Sequence, residues 1–337
     1  MAWQEHLTGG ASLKVLVTGA TGFLGGHLIR EMAKGPHAPL CAYRKGSDTR
    51  SIDELGLPKV NFDLTDPASM SEAVKGVDAV IHLAAYYTFT GRNDLYESIN
   101  VQGTRRLLEA CQENGVKRFL YCSSTEAMGP VEHPPANEDA PLNPQYEYGR
   151  SKVKAEELVN SSGLDWTILR PSGIYGPSNV DDVAYYFITS FKGFASKFII
   201  GSGKNYIQFV HVKDVVKGFL LALDNPTAVT RTYIISQARP YTYEEVYRLL
   251  ADIFGQPEPR WRLKKRLAIA LMFPIEGFNT LIGRENFLYR RETVESVTSD
   301  RAFTIDRARR ELGYEPDYDL PEGMRETVAW YRENGYL

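Results

Sequence analysis

The chain has 337 residues, 43% hydrophobic and 24% charged, the composition of a folded globular protein large enough for two lobes. A net charge of −3 offers no field to hold a polyanion, so composition gives nucleic-acid binding no support. Cys41, Cys111 and Cys122 are odd in number, scattered and set in apolar patterns, which fits reduced thiols in a cytoplasmic protein rather than a disulfide framework. The histidines lack ligand spacing among themselves or with the cysteines, so no metal site is expected.

Residues 1–12 read as a tail, with neither the basic start nor the apolar run of an export signal. Residues 14–25, Lys-Val-Leu-Val-Thr-Gly-Ala-Thr-Gly-Phe-Leu-Gly, then run an apolar strand straight into Gly19, Gly22 and Gly25, with a helical pattern following. Such a turn lets backbone amides approach a pyrophosphate, and the N-terminus of the helix presents unsatisfied N–H groups and a positive dipole end. A side chain at Gly19 or Gly22 would block that approach, and one at Gly25 would lift the helix off the sheet. The stretch predicts a bound dinucleotide.

Beyond it, short apolar runs at 39–44, 59–63, 78–83, 117–122 and 165–170 alternate with helical patterns near 23–33, 67–75, 94–113 and 146–161. That rhythm predicts an α/β fold, a Rossmann-like doubly wound parallel sheet with helices on both faces. After Pro171 the rhythm breaks into Gly, Pro and aromatic residues, then resumes with a strand near 207–211, a helix to about 223 and a strand at 232–236. The substrate lobe is therefore expected to be discontinuous: residues 13–171 plus 206–236 form the dinucleotide-binding domain, 172–205 plus 237–320 the substrate lobe, and 321–337 a closing C-terminal helix.

Coenzyme choice should be made after the second strand, where a carboxylate would bond a ribose hydroxyl and Arg would accommodate a 2′-phosphate. Tyr43 stands where the acid would be sought, and Arg44 and Lys45 follow it, so NADP(H) is favoured over NAD(H). Asp63, ending the third strand, is placed to accept from an adenine amino group; it could equally cap the helix at Pro67, for which Asp66 is the better candidate.

Catalysis should lie at the carboxyl ends of the strands. The fifth strand ends in Tyr121-Cys122-Ser123-Ser124-Thr125, and after a loop comes Tyr148-Gly149-Arg150-Ser151-Lys152. In a helix Tyr148 and Lys152 share a face, close enough for the ammonium to favour a phenolate. A free tyrosine is a poor base at neutral pH, and stabilising its anion would make it useful, with Ser124 bonding the substrate oxygen.

With these residues in order, the chain resembles an extended short-chain dehydrogenase/reductase of the NAD-dependent epimerase/dehydratase superfamily over nearly its whole length. The matching residues are Thr18 to Gly25, Asp63-Leu64, His82-Leu83-Ala84-Ala85, Asn100 to Thr104, Ser123-Ser124, Tyr148 to Lys152, Leu169-Arg170-Pro171 with Tyr175-Gly176-Pro177, and Phe209 to Val215. The resemblance implies a catalytic triad of Ser124, Tyr148 and Lys152. It implies cofactor contacts from Gly19, Thr21, Gly22, Phe23, Leu24, Gly25, Arg44, Lys45, Asp63, Leu64, Leu83, Ala84, Ala85, Asn100, Tyr148, Lys152 and Pro171. Lys152 would also hold the nicotinamide ribose, the 170–175 stretch would close over the nicotinamide, and Asn100 would position the active-site end of its helix. A homodimer through the helices near 94–113 and 146–161 is expected on the same ground.

Two departures bear on the substrate. Nucleotide-sugar enzymes of this kind usually carry Asn after Arg-x-x and Arg two residues before the Phe of Phe-Val-x-Val, both meeting a diphosphate; here Gly173 and Ile207 stand there. Each loss would remove a charge-assisted bond of about 1.5–3 kcal/mol. The segments 169–177 and 201–205, with Arg301-Ala302-Phe303, Glu311 to Pro316 and Trp330-Tyr331-Arg332, resemble instead the branch of 3β-hydroxysteroid dehydrogenase and dihydroflavonol reductase. The resemblance implies hydride transfer between a secondary alcohol and a ketone on an apolar or ring-containing molecule. A nucleotide-sugar epimerase or dehydratase with tightly held NAD, and a non-catalytic NADP-binding redox sensor, are the alternatives.

Tyr86, Tyr87, Phe89, Tyr185, Tyr186, Phe187, Phe191 and Phe194 supply aromatic surface for such a ligand, although at most half belong to the pocket and the rest to a core. The pocket residues expected are Tyr86, Tyr87, Ser124, Gly173, Ile174 and Tyr186. Residues 262 to 284 combine Arg262, Lys264, Lys265 and Arg266 with Leu, Ile, Met and Phe in the manner of an amphipathic helix in peripheral contact with a membrane surface, although such a pattern more often belongs to a helix roofing a pocket. Its apolar run, stopped by Pro274, is far too short to span a bilayer.

Overall fold

The structure, a computed structural model, describes residues 12–87, 93–180, 182–193, 197–281 and 291–337. The expectations for Phe89, Phe194, residues 282–284 and the tail before Ser12 lie outside these residues. The apolar runs become β1 (Lys14–Thr18), β2 (Ala38–Tyr43), β3 (Lys59–Asn61), β4 (Ala79–His82), β5 (Arg118–Cys122) and β6 (Asp165–Pro171). With Arg231–Ile235 they build a seven-stranded sheet in the order Arg231–Ile235, β6, β5, β4, β1, β2, β3, and every ladder in it is parallel.

Alternation along each strand sorts the side chains into two cores. Val15, Val17, Ile81, Leu120 and Leu169 face the helix α1 (Phe23–Met32) and the helices Val212–Asp224 and Asp306–Leu312. Leu16, Val80, Phe119, Tyr121 and Ile168 face Pro67–Ala73, Gln102–Glu113 and Glu147–Asn160. The order reverses between β1 and β4, so the carboxyl ends of these two strands open the crevice in which such sheets bind ligands. All three cysteines are buried and free.

The strand expected near 207–211 does not join this sheet. Phe209–His211 pairs in parallel with Gly173–Tyr175, while Tyr206–Ile207 pairs antiparallel with Tyr241–Thr242. The reason is local: Ser172 N donates to Ile235 O at the rim of the large sheet, and the chain then leaves it into the second lobe. That lobe has its own core of Tyr175, Phe191, Phe209, Tyr243 and Tyr247, closed by Leu320, Met324, Val328 and Tyr331 of the last helix, Leu320–Glu333.

Candidate active site

The glycine turn is built as its sequence requires. Gly19 sits at φ +72°, where only glycine is relaxed, and a Cβ on it would lie 3.0 Å from the Ala84 nitrogen. A Cβ on Gly25 would lie 2.0 Å from the Gly19 carbonyl oxygen, so α1 packs backbone to backbone against the turn. Gly22 caps α1 without a side-chain hydrogen bond, and no acidic residue occupies the first helical turn. The leading N–H groups of α1 and its dipole are thus left for an anion, and these residues fit a dinucleotide pyrophosphate. Thr21, Phe23 and Leu24 lie half-buried along this turn, with Phe23 edge-on to His27.

At the end of β2, Arg44 and Lys45 are exposed. Asp63 accepts both the Thr65 N–H (2.8 Å) and the Thr65 hydroxyl (2.7 Å), and the hydroxyl bond above all holds its carboxyl below the usual carboxylate range. Asp66 takes the capping role, accepting from Ala68 N at 3.1 Å. Leu64 is buried, its side chain against Gly103, where a Cβ would meet it at 2.9 Å.

Ser124 follows β5 and caps the short turn Thr125–Ala127, its Oγ accepting from Glu126 N at 3.1 Å, which leaves the hydroxyl proton for another partner. Tyr148 and Lys152 rise from the helix Glu147–Asn160 on one face. This helix is pressed against the Ser124 turn: a Cβ on Gly149 would lie 2.4 Å from Glu126 O. Lys152 is buried, donates to Cys122 O at 2.8 Å, and stands 4.9 Å from the Tyr121 ring centre and 5.5 Å from that of Tyr148. Burial lowers the Lys152 pKa.

At Tyr148 a second effect acts against the phenolate. Burial, reinforced by Cys122, Asp182, Glu126 and Tyr96, raises its pKa well above the usual tyrosine value. Lys152 gives one hydrogen bond to Cys122 O, and desolvation of the buried phenol acts against its ionisation. In the protein alone the phenol is therefore held protonated.

Two hydrogen-bonded sets lie around these candidate residues. Thr18 Oγ1 accepts from Leu83 N and Ala84 N, both at 3.1 Å, so its proton goes to His82 Nδ1 at 2.7 Å. His82 Nε2 then donates to Thr104 Oγ1 (3.1 Å), whose own proton goes to Asn100 O (2.6 Å). The ring is neutral, its pKa lowered by burial to about 3. Asn100 clamps Tyr86 by both backbone groups, accepting from its N at 2.6 Å and donating to its O at 3.0 Å, and donates to Ser151 Oγ at 3.0 Å. Asn100 lies in a π-helical turn, Tyr96–Val101, an arrangement frequent at functional sites. It thus ties the end of β4 to the Tyr148 helix.

Beneath, Glu156 accepts from Ser123 Oγ at 2.5 Å and forms a buried ion pair with Arg170 at 2.6 Å. Glu156 follows Lys152 by one helical turn, and that spacing was the available signal for a residue the sequence reading left unassigned. Thr18 and His82 stood in the quoted motifs without a role.

Of the aromatic residues, Tyr87 is edge-on to Tyr148 at 4.7 Å and Tyr86 edge-on to Tyr96 at 5.1 Å. Tyr185 packs on Tyr331, and Phe187 and Phe191 pack with Tyr247 inside the second-lobe core. Tyr186 is exposed on the helix Val183–Ser190. Leu83 and Ala84 are half-buried and Ala85 exposed after β4, Pro171 ends β6 buried, and Gly173 and Ile174 follow it, Ile174 against the large-sheet core. Ile207, in place of an arginine, pairs with Tyr241.

Residues 15–236 match the NAD dependent epimerase/dehydratase family. The chain is similar to "Sterol demethylase protein B" of Methylococcus capsulatus, 30% identical over 96% of this chain and 100% of that protein. It is also similar to a "3-beta-hydroxysteroid dehydrogenase" of Mycolicibacterium neoaurum, 28% identical over 95% and 92%. The solved structure of DesIV, a dTDP-glucose 4,6-dehydratase from Streptomyces venezuelae with NAD and TYD bound, has a TM-score of 0.75 at 25% identity, covering 96% of this chain and 98% of that one. With the sheet order, the glycine turn and these matches in hand, the chain belongs to the NAD dependent epimerase/dehydratase family.

Proposed function

We propose that this protein is an NAD(P)-dependent oxidoreductase that interconverts a secondary alcohol and a ketone on an apolar or ring-containing small molecule. The observation that carries this reading is the packing of the helix bearing Tyr148 and Lys152 against the turn that Ser124 caps, with Tyr87 and Tyr96 edge-on to Tyr148, at the end of a strand separated from β1 and its glycine turn by β4 alone. The names of the sterol and hydroxysteroid relatives support the ring-containing substrate.

The dinucleotide, when bound, supplies the hydride acceptor or donor. Gly19 to Gly25 would hold its pyrophosphate, Asp63 and Leu64 its adenine, Leu83 to Ala85 and Pro171 its nicotinamide half, and Lys152 the nicotinamide ribose. Arg44 and Lys45 would receive a 2′-phosphate, which makes NADP(H) the preferred coenzyme. Ser124 donates its hydroxyl proton to the substrate oxygen and fixes it against Tyr148. Tyr148, held as a phenol by burial, donates its proton to that oxygen when a ketone is reduced. In oxidation the same residue, as phenolate, takes the hydroxyl proton.

The test is to titrate the purified chain with NADPH and NADH and to screen sterol, terpenoid, flavonoid and nucleotide-sugar candidates at the nicotinamide absorbance band. Turnover of an apolar alcohol or ketone, lost by about 10²–10⁴-fold in Tyr148→Phe with coenzyme binding kept, is expected. Full activity in that variant removes the assignment, and copurifying nicotinamide with sugar-nucleotide turnover and no net redox change would turn the reading to an epimerase.

A further inference from the structure

Half of the exposed large hydrophobic residues among those described fall in one short stretch: Trp261, Leu267, Leu271, Phe273, Ile275 and Phe278, with Trp261 66% and Phe273 and Phe278 each 64% exposed. Five of the six lie on the helix Lys265–Leu281. Leu267, Leu271, Pro274 and Phe278 recur at spacings of four, three and four, a single stripe, with Phe273 and Ile275 beside it. Along the helix itself no charged residue of this outer face falls between Leu267 and Phe278, and the Arg291 guanidinium lies over the Phe273 ring at its edge, 5.2 Å from the ring centre. The one charge in that interval, Glu276, is turned toward the protein and pairs with Arg291 at 2.7 Å. Ala268 is buried on the inner side, and Lys265 pairs there with Glu295. A surface helix in water carries its polar groups outward, and here the outward face is apolar instead.

The flank of this face is basic. Arg260, Lys264 and Arg266 are exposed and make no ion pair among the described residues, while Arg262 pairs with Glu244 at 2.7 Å. No Asp or Glu occurs from Trp261 to Ile275. An apolar face next to unpaired cations matches a layer with an apolar interior and an anionic surface. A second copy meeting this face through the same segment fits less well, because Trp261 to Ile275 contains no carboxylate to pair with these cations. No helix of the described residues is long and apolar enough to cross a membrane, so the helix would lie in the interface.

We propose that the helix Lys265–Leu281 docks this protein on an anionic phospholipid bilayer, with Leu267, Leu271, Phe273 and Phe278 entering the acyl boundary and Arg260, Lys264 and Arg266 meeting the headgroups. The site is not remote from the candidate active site. The docking helix packs on Arg291–Val297, and Tyr146, two residues before Tyr148, donates to Glu292 O at 3.0 Å. The proposal stands independently of the alcohol–ketone reading, since its test needs no substrate.

The full chain is floated with vesicles of phosphatidylcholine alone and of phosphatidylcholine mixed with phosphatidylglycerol. Binding to the mixed vesicles only, released by high salt, is expected. The double variant Phe273→Glu, Phe278→Glu and the double variant Lys264→Glu, Arg266→Glu should each lower the bound fraction at least about tenfold while gel filtration and circular dichroism stay unchanged. A wild-type chain that stays unbound on anionic vesicles, or binding that survives both double variants, overturns the proposal. A dimer that the phenylalanine variant splits, with no vesicle binding, gives the face to a second copy instead.

Discussion

At Tyr148 two physical effects compete, the charge of Lys152 and the burial of the phenol. The ammonium of Lys152 would stabilise a phenolate, but it is bonded to Cys122 O at 2.8 Å, and burial keeps the phenol protonated. Ketone reduction should therefore be flat with pH through neutrality and fall only on the alkaline side, while alcohol oxidation should climb as pH rises; initial rates in both directions across pH 6 to 10 or so check this. Arg44 is exposed and free to meet a phosphate, so Arg44→Asp should weaken NADPH binding about tenfold or more and leave NADH within about twofold, as measured by fluorescence titration. Equal effects on both coenzymes would show that Arg44 does not read the phosphate. His82 is satisfied only as the neutral ring protonated at Nε2, so its nitrogen shifts in NMR should show that tautomer and no titration from pH 8 to about 4. The unfolded chain protonates this ring near pH 6.5 and the folded chain only near about 3. Its contribution to stability is therefore whole above pH 6.5 and is lost as pH falls through that window, at no more than about 1.4 kcal/mol per pH unit.

The site depends on elements approaching more closely than side chains usually allow. The helix Glu147–Asn160 reaches the Ser124 turn because residue 149 is glycine, and a Cβ there would sit 2.4 Å from Glu126 O. Gly149→Ala should push Tyr148 and Lys152 off Ser124, with about 1–3 kcal/mol lost in urea unfolding and a larger relative loss in kcat than in coenzyme affinity. Unchanged kcat would mean that the helix can move without disturbing the triad. The preceding helix contributes through a π turn that faces Asn100 toward both Tyr86 and Ser151. No periodicity in the sequence announces such a turn, since an extra residue in one turn leaves the apolar spacing of the rest of the helix intact. The strand and helix at the glycine turn were legible for the opposite reason: there each residue type is dictated by a contact a few residues away.

Across the whole molecule, a parallel sheet with two cores carries the glycine turn and the triad, while a separate aromatic core supports the second lobe. The last helix belongs to that second core, where Tyr331 is fully buried with Leu320, Met324 and Val328. Tyr331→Ala should cost about 3–5 kcal/mol and loosen the second lobe more than the sheet, which hydrogen exchange resolved by region checks. Uniform loss of protection would show a single cooperative unit. By itself the sequence determined the parallel α/β architecture and the glycine turn, because strand alternation and glycine positions are set by neighbours close in the chain. Tertiary structure decided what depends on residues far apart: that Phe209–His211 leaves the main sheet to pair with Gly173–Tyr175, that Glu156 pairs with Arg170 and His82 with Thr18, and that burial raises the Tyr148 pKa. Burial and desolvation arise only once distant segments close around a group, and no local pattern of residues records them.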